Sequence, residues 1–156
     1  NPGGYLEASV NLAGWFLKTG VLVVTEEFGS NKKEEFKANN SGFFKDMPMV
    51  ILINEGSASA SEILAGALRD NRGIKLIGKK SYGKGTVQEL EKLNDGSSVK
   101  ITVAHWLMPN GGLIEKNGII PDYEVNITEE DVKAGRDPQM EKAMEILKSE
   151  IQNPKS

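Results

Sequence analysis

Three serines stand within five positions of one another, Ser57, Ser59 and Ser61, in the segment Gly56-Ser57-Ala58-Ser59-Ala60-Ser61-Glu62-Ile63. A serine hydroxyl becomes a nucleophile only when a neighbouring base takes its proton. The sequence offers two candidate bases. One is His105, the single histidine; the other is Lys84, flanked by glycines in Ser81-Tyr82-Gly83-Lys84-Gly85-Thr86-Val87-Gln88. A lysine does this work when burial brings its pKa from ~10.4 down to about 7–8. A histidine needs an acid to orient it, and none is clearly placed beside His105, which lies between apolar neighbours.

Both segments also have plain structural readings. Ser59-Ala60-Ser61-Glu62 has the form of a capping box, with Ser59 as N-cap and Glu62 at the third helical position. Gly83-Lys84-Gly85 is equally the sequence of a glycine-rich turn carrying a surface lysine. The catalytic and capping readings of Ser59 do not exclude each other. Among the three serines Ser59 is the best nucleophile, because at a strand-to-helix corner the next amide, that of Ala60, points the same way as the hydroxyl and can hold an oxyanion.

Composition removes several other chemistries. With no cysteine there is no thiolate nucleophile and no Cys-ligated zinc or iron–sulfur site, and one histidine excludes a two-His metal site. No cofactor is called for. The 19 basic and 22 acidic residues leave a net charge of −3, so there is no basic footprint for nucleic acid. The longest apolar run, Met47 to Ile53, contains Pro48 and falls far short of the ~20 residues of a spanning helix. Gly83-Lys84-Gly85-Thr86 is not a phosphate loop, since it lacks the four-residue spacer and does not open a helix.

The elements that must position these residues follow from hydrophobic spacing. Leu6, Val10, Ala13 and Leu17, widened by Trp15 and Phe16, predict a helix over 5–18 that stops at Thr19-Gly20. Val21 to Val24 reads as a strand covered on both faces, and Gly29 to Asn40 as a solvated hairpin or loop around a weak strand at 34–37. Met49 to Ile53 predicts a second buried strand. A turn at Asn54-Glu55-Gly56 leads to a helix with Ile63, Leu64, Ala67 and Leu68 on one face, then to a strand at 74–78, together a βαβ unit. Thr86 to Leu93 and the alternating run Val99 to His105, joined by Asn94-Asp95-Gly96, predict a hairpin. Thr128 with Asp131 resembles a further capping box. Asp137-Pro138 opens a last helix with Met140, Ala143, Met144, Leu147 and Ile151 expected inward. The fold class is α/β, one domain over 1–156.

Asn1-Pro2-Gly3-Gly4, the Asn54 to Ile63 segment, Ser81 to Gln88 and Gly118-Ile119-Ile120-Pro121-Asp122, in that order, resemble the signature of the carboxyl-terminal processing (tail-specific) proteases, Ser–Lys endopeptidases of family S41. The resemblance runs from Asn1 to about Leu147. It implies Ser59 as nucleophile, Lys84, 25 positions later, as general base, and Gln88 as support for the amine. On a strand, residues four apart share a face, which suits Lys84 and Gln88. The oxyanion hole would use the Ala60 amide and one from Gly3 or Gly4. The fold implied is a Clp protease and crotonase-like core of stacked β-β-α units. The chain, with its turn-like start and no leader, is expected to be the C-terminal portion of such a catalytic domain, a processed or excised piece, with a PDZ domain and preceding segments outside it. The partners implied are protein or peptide substrates with unstructured C-termini. The family works in the cell envelope or another extracytoplasmic space, with membrane association only through segments outside the chain, and it is compatible with a homo-oligomer. Met108-Pro109-Asn110-Gly111 stands where the family more often has Thr-Pro-Ser-Gly, expected to be a tolerated turn variant. The alternative to hydrolysis is a catalytically silent, protease-like binding module in which Ser59 only caps its helix. An acyl-coenzyme A enzyme on the related fold ranks behind both, since no paired carboxylates are placed for it.

Overall fold

A computed structural model describes residues 1–30, 32–114 and 118–152. Helix α1 (Leu6–Phe16) is followed by strands β1 (Leu22–Phe28), β2 (Lys33–Lys37) and β3 (Val50–Ile53), helix α2 (Ala60–Arg72), strands β4 (Lys75–Gly78), β5 (Thr86–Lys92), β6 (Ser98–Leu107) and β7 (Tyr123–Glu124), and helices α3 (Glu129–Ala134) and α4 (Pro138–Gln152). The α/β class, the βαβ unit and the hairpin are as expected. Asn31, inside the solvated stretch, and the last four residues lie outside the described residues.

Two sheets form. One has strand order β2-β1-β6-β5 and is antiparallel; the other, β3-β4-β7, is parallel. Helix α2 lies between them. Its Ile63, Ala67 and Leu68 share a core with Val23 and Val24 of β1 and with Val10 and Ala13 of α1, while Ala65 packs with Ile53 and Leu76 of the parallel sheet. Burying each Ile or Leu here contributes about 1.5–3 kcal/mol, so the helix that carries the candidate serine at its N-terminus is anchored on two sides.

Three expectations are corrected. The first helix ends at Phe16, with Leu17 as C-cap, before Thr19-Gly20. β3 stands at the sheet edge and exposes Leu52, so it is covered less than a buried strand. On α4 the inward residues are Gln139, Ala143 and Ile146, whereas Met140, Met144 and Ile151 face solvent. Apolar spacing alone permits either stripe, and Ala143 belongs to both; packing against Ile77 turns Ile146 inward beside it and leaves Met140 and Met144 outside.

Candidate active site

The turn between β3 and α2 is built by hydrogen bonds local to it. Asn54 Oδ1 accepts from Gly56 N–H at 2.9 Å, and Ser57 Oγ accepts from Asn54 N–H at 3.1 Å, so the Ser57 hydroxyl is engaged in shaping the loop. Ser61 lies in the first turn of α2. Between them Ser59 is the N-cap, with φ 58° and ψ −125°, the only non-glycine residue at positive φ among the described residues. Such a conformation costs a β-carbon-bearing residue about 1–3 kcal/mol and persists only where surrounding contacts over-determine it.

Those contacts come from Glu62. The capping box closes on its glutamate side, Ser59 N–H donating to Glu62 Oε2 at 2.9 Å, while the Ser59 hydroxyl makes no side-chain cap hydrogen bond and the Glu62 N–H goes to the Ser59 carbonyl at 2.8 Å. The capping box read from the sequence is present, with Ser59 at the N-cap and Glu62 at the third helical position.

Glu62 is 1% exposed, yet its carboxylate is fully engaged. Besides Ser59 N–H, it accepts from Ser81 Oγ at 2.5 Å, Gly83 N–H at 2.8 Å and Lys84 N–H at 3.0 Å. A buried acid is tolerated because every lone-pair direction meets a donor. The carboxylate thus ties the Ser59 corner to the lysine loop. Sequence reasoning named Glu62 only as a capping partner; the signal that it does more is its being a charge in the first turn of a helix otherwise apolar on its packed face.

The lysine loop has two further anchors. Ser81 Oγ accepts from Ile119 N–H at 2.6 Å, and Gly118, at φ 61°, lies so close to the Ser81 carbonyl that a β-carbon there would sit 2.2 Å from it. On the other side, Trp106 N–H of β6 donates to the Gly85 carbonyl at 3.0 Å. The Gly118 to Asp122 segment therefore acts as a brace: Asp122 Oδ2 accepts from Leu76 N–H at 2.9 Å.

The opening segment folds against the same corner. Ala58 N–H donates to the Asn1 carbonyl at 3.1 Å. Gly3, at φ 94°, approaches so closely that a β-carbon would lie 2.5 Å from Ala58 O and 2.9 Å from Ala60 N. Only glycine fits there. The Gly3 N–H is already taken by Asn1 Oδ1 at 3.0 Å, whereas among the described residues the N–H groups of Gly4 and Ala60 have no protein acceptor. Of the two glycines expected to assist Ala60, Gly4 is the one with an amide to offer.

The structure brings together Ser59, Ala60, Gly3 and the backbone of Lys84. It leaves the Lys84 side chain exposed and in no described hydrogen bond. Gln88 is exposed on β5 opposite Thr102. Because β5 begins at Thr86, Lys84 sits in the loop before the strand, and the same-face argument for residues four apart does not reach it. His105 is exposed on β6 opposite Thr86 and Glu27. The Met108 to Gly111 variant closes its turn, Gly111 N–H donating to the Met108 carbonyl at 2.8 Å.

Comparison with known proteins shows what the chain is similar to. The family described as Peptidase family S41 matches residues 1–125. A carboxyl-terminal-processing protease of Synechocystis sp. (strain ATCC 27184 / PCC 6803 / Kazusa) is 40% identical over 150 residues, which is 94% of this chain and 35% of the relative. The carboxy-terminal processing protease CtpA of Bacillus subtilis (strain 168) is 39% identical over 127 residues, 81% of this chain and 27% of that protein. The solved photosystem II D1 C-terminal processing protease superposes with a TM-score of 0.74 at 36% identity, covering 81% of this chain and 32% of the other. The chain therefore spans about a third or less of the length of these relatives.

Proposed function

Because the chain belongs to peptidase family S41, we propose that it carries the nucleophile and base of a serine endopeptidase that cleaves proteins near their C-termini. Neutral Lys84 takes the Ser59 proton as Ser59 Oγ attacks the scissile carbonyl. The tetrahedral oxyanion is held by the N–H groups of Ala60, at the positive end of α2, and Gly4. As the C–N bond breaks, the Lys84 ammonium returns the proton to the leaving amine. Lys84 then activates water, which releases the acyl group and restores the serine. Gln88 steadies the amine once substrate or another segment has closed over the loop. The substrate is an unstructured protein tail, no metal or cofactor takes part, and the working protein resides outside the cytoplasm, alone or as a homo-oligomer.

One observation carries this reading. Ser59 and Lys84, 25 positions apart, donate their backbone N–H groups to the same oxygen, Glu62 Oε2, at 2.9 and 3.0 Å. The two nitrogens thus lie no further apart than the sum of those distances. A capped helix and a surface turn would need no such common anchor. The exposure of Lys84 is what favours the alternative, a silent binding module. The deciding experiment is covalent: the full-length protein is treated with a fluorophosphonate probe and digested for mass analysis. Modification of Ser59, lost in Lys84→Ala, supports hydrolysis, and an unmodified Ser59 favours the binder.

A further inference from the structure

Two depressions flank the corner. One, of about 450 Å³, opens between α1, α2 and β3, and has Asn1, Asn54, Ser57 and Ser61 among its lining residues, but neither Ser59 nor Ala60. The other, of about 480 Å³, is lined by residues 82–86, His105 and Ile114. It includes Lys84 and none of the Ser59–Ala60 turn.

Which side of a cleaved bond this second depression serves follows from the chemistry. The base that takes the nucleophile's proton must return it to the departing amine, so the leaving half of the substrate lies on the base's side and the carbonyl half on the oxyanion's side. A depression lined by Lys84 and by no oxyanion donor belongs to the leaving half.

Its walls state what it accepts. Ile114 is 2% exposed and gives an apolar floor. The Tyr82 ring forms a rim, and the backbone around Gly83 and Gly85 adds surface without side chains. Lys84 and His105 are the basic side chains of the lining, and among the described residues it holds no carboxylate. The acid nearest His105 in register, Glu27 on β1, is already paired with Lys33 at 2.9 Å. On the β5 side His105 faces Thr86, which is uncharged. A lysine or arginine side chain entering here meets Lys84 and, among the described residues, no anion to pair with.

We propose that this depression receives the side chain of the substrate residue that becomes the new amino terminus, that it takes uncharged apolar side chains up to aromatic size, and that position 105 sets its rejection of basic ones. The proposal rests on the Ser59–Lys84 reading. It makes the lack of an acid at position 105, and not the imidazole itself, what sets the selectivity.

The test uses the full-length protein and peptides identical except at the residue after the cleaved bond, set to Leu, Phe or Lys, with Ser59 modification by a fluorophosphonate measured on the same samples. The parent should favour Leu and Phe over Lys by about tenfold or more in kcat/KM. His105→Asp installs the missing anion and should shrink that ratio by about fivefold or more, and His105→Gln should not. Any effect of the new charge on Lys84 itself acts on all three peptides alike and cancels in the ratio. Ser59 modified with the ratio unchanged in His105→Asp overturns the pocket and leaves hydrolysis standing. Ser59 unmodified in the parent removes the reading beneath both.

Discussion

Ser59 and Lys84 are held by one carboxylate oxygen: each donates its backbone N–H to Glu62 Oε2, at 2.9 and 3.0 Å. The other oxygen, Oε1, takes Ser81 Oγ and Gly83 N–H. Replacing Glu62 with glutamine turns one end of this acceptor into a donor facing donors. An unsatisfied buried group costs about 1–3 kcal/mol, and a displacement of 1 Å in a catalytic group can cost about 100-fold in rate. Glu62→Gln should therefore lower the urea midpoint measurably and cut kcat/KM in the full-length protein by about tenfold or more. A variant with parental midpoint and rate would show that the shared anchor does not matter.

The positive φ of Ser59 predicts an unusual pairing of effects. Ser59→Gly relieves about 1–3 kcal/mol of backbone strain and gives back roughly 0.5–1 kcal/mol in unfolded-state freedom. Since the hydroxyl makes no cap hydrogen bond, little else is lost. The glycine variant should be more stable than the parent by about 1 kcal/mol and inert in cleavage. Ser59→Ala, which keeps the strain, should be inert without that gain. Equilibrium unfolding of both separates strain from chemistry.

The opening loop makes a prediction that contrasts adjacent glycines. A β-carbon at Gly3 would run into backbone atoms of Ala58 and Ala60, which cannot yield without moving the oxyanion turn, whereas one at Gly4 meets nothing within 4 Å. Gly3→Ala should lower cleavage by about 100-fold or more, the scale of losing an oxyanion donor. Gly4→Ala keeps its N–H and should lose far less. Equal losses would contradict the assignment of the Gly4 amide.

Away from the site, α3 carries a capping box with a pH signature. The Thr128 hydroxyl donates to Asp131 Oδ2 at 2.6 Å and the Thr128 N–H donates to the same oxygen at 3.0 Å; Arg136 adds a bond to Oδ1 at 2.9 Å. These donors lower the Asp131 carboxyl from 3.8 to about 2. Because the folded value lies below the unfolded one, the cap's contribution is complete above the ordinary carboxylate range and is lost as the pH falls toward about 2. A carboxyl titration followed by NMR should show that low midpoint, and Thr128→Val should move it upward. An unmoved midpoint would remove the hydroxyl from the account.

Much was legible because it is local. Buried β-branched runs, the Asn94-Asp95-Gly96 turn and the Ser59–Glu62 spacing fixed the βαβ unit, the hairpin and the helix mouth where the candidate serine sits. Each is decided by backbone preference and apolar periodicity over a few residues. What needed the folded chain was every relation across distance. That Glu62 reaches Ser81 and Lys84, that Gly3 touches Ala60, and that Gly4 keeps the available amide depend on how two sheets clasp α2. The same holds for the outward turn of Met140 and Met144 on α4. Spacing says which residues share a face; only packing says which face is covered, and only a buried polar group's search for partners says which distant loops it will join.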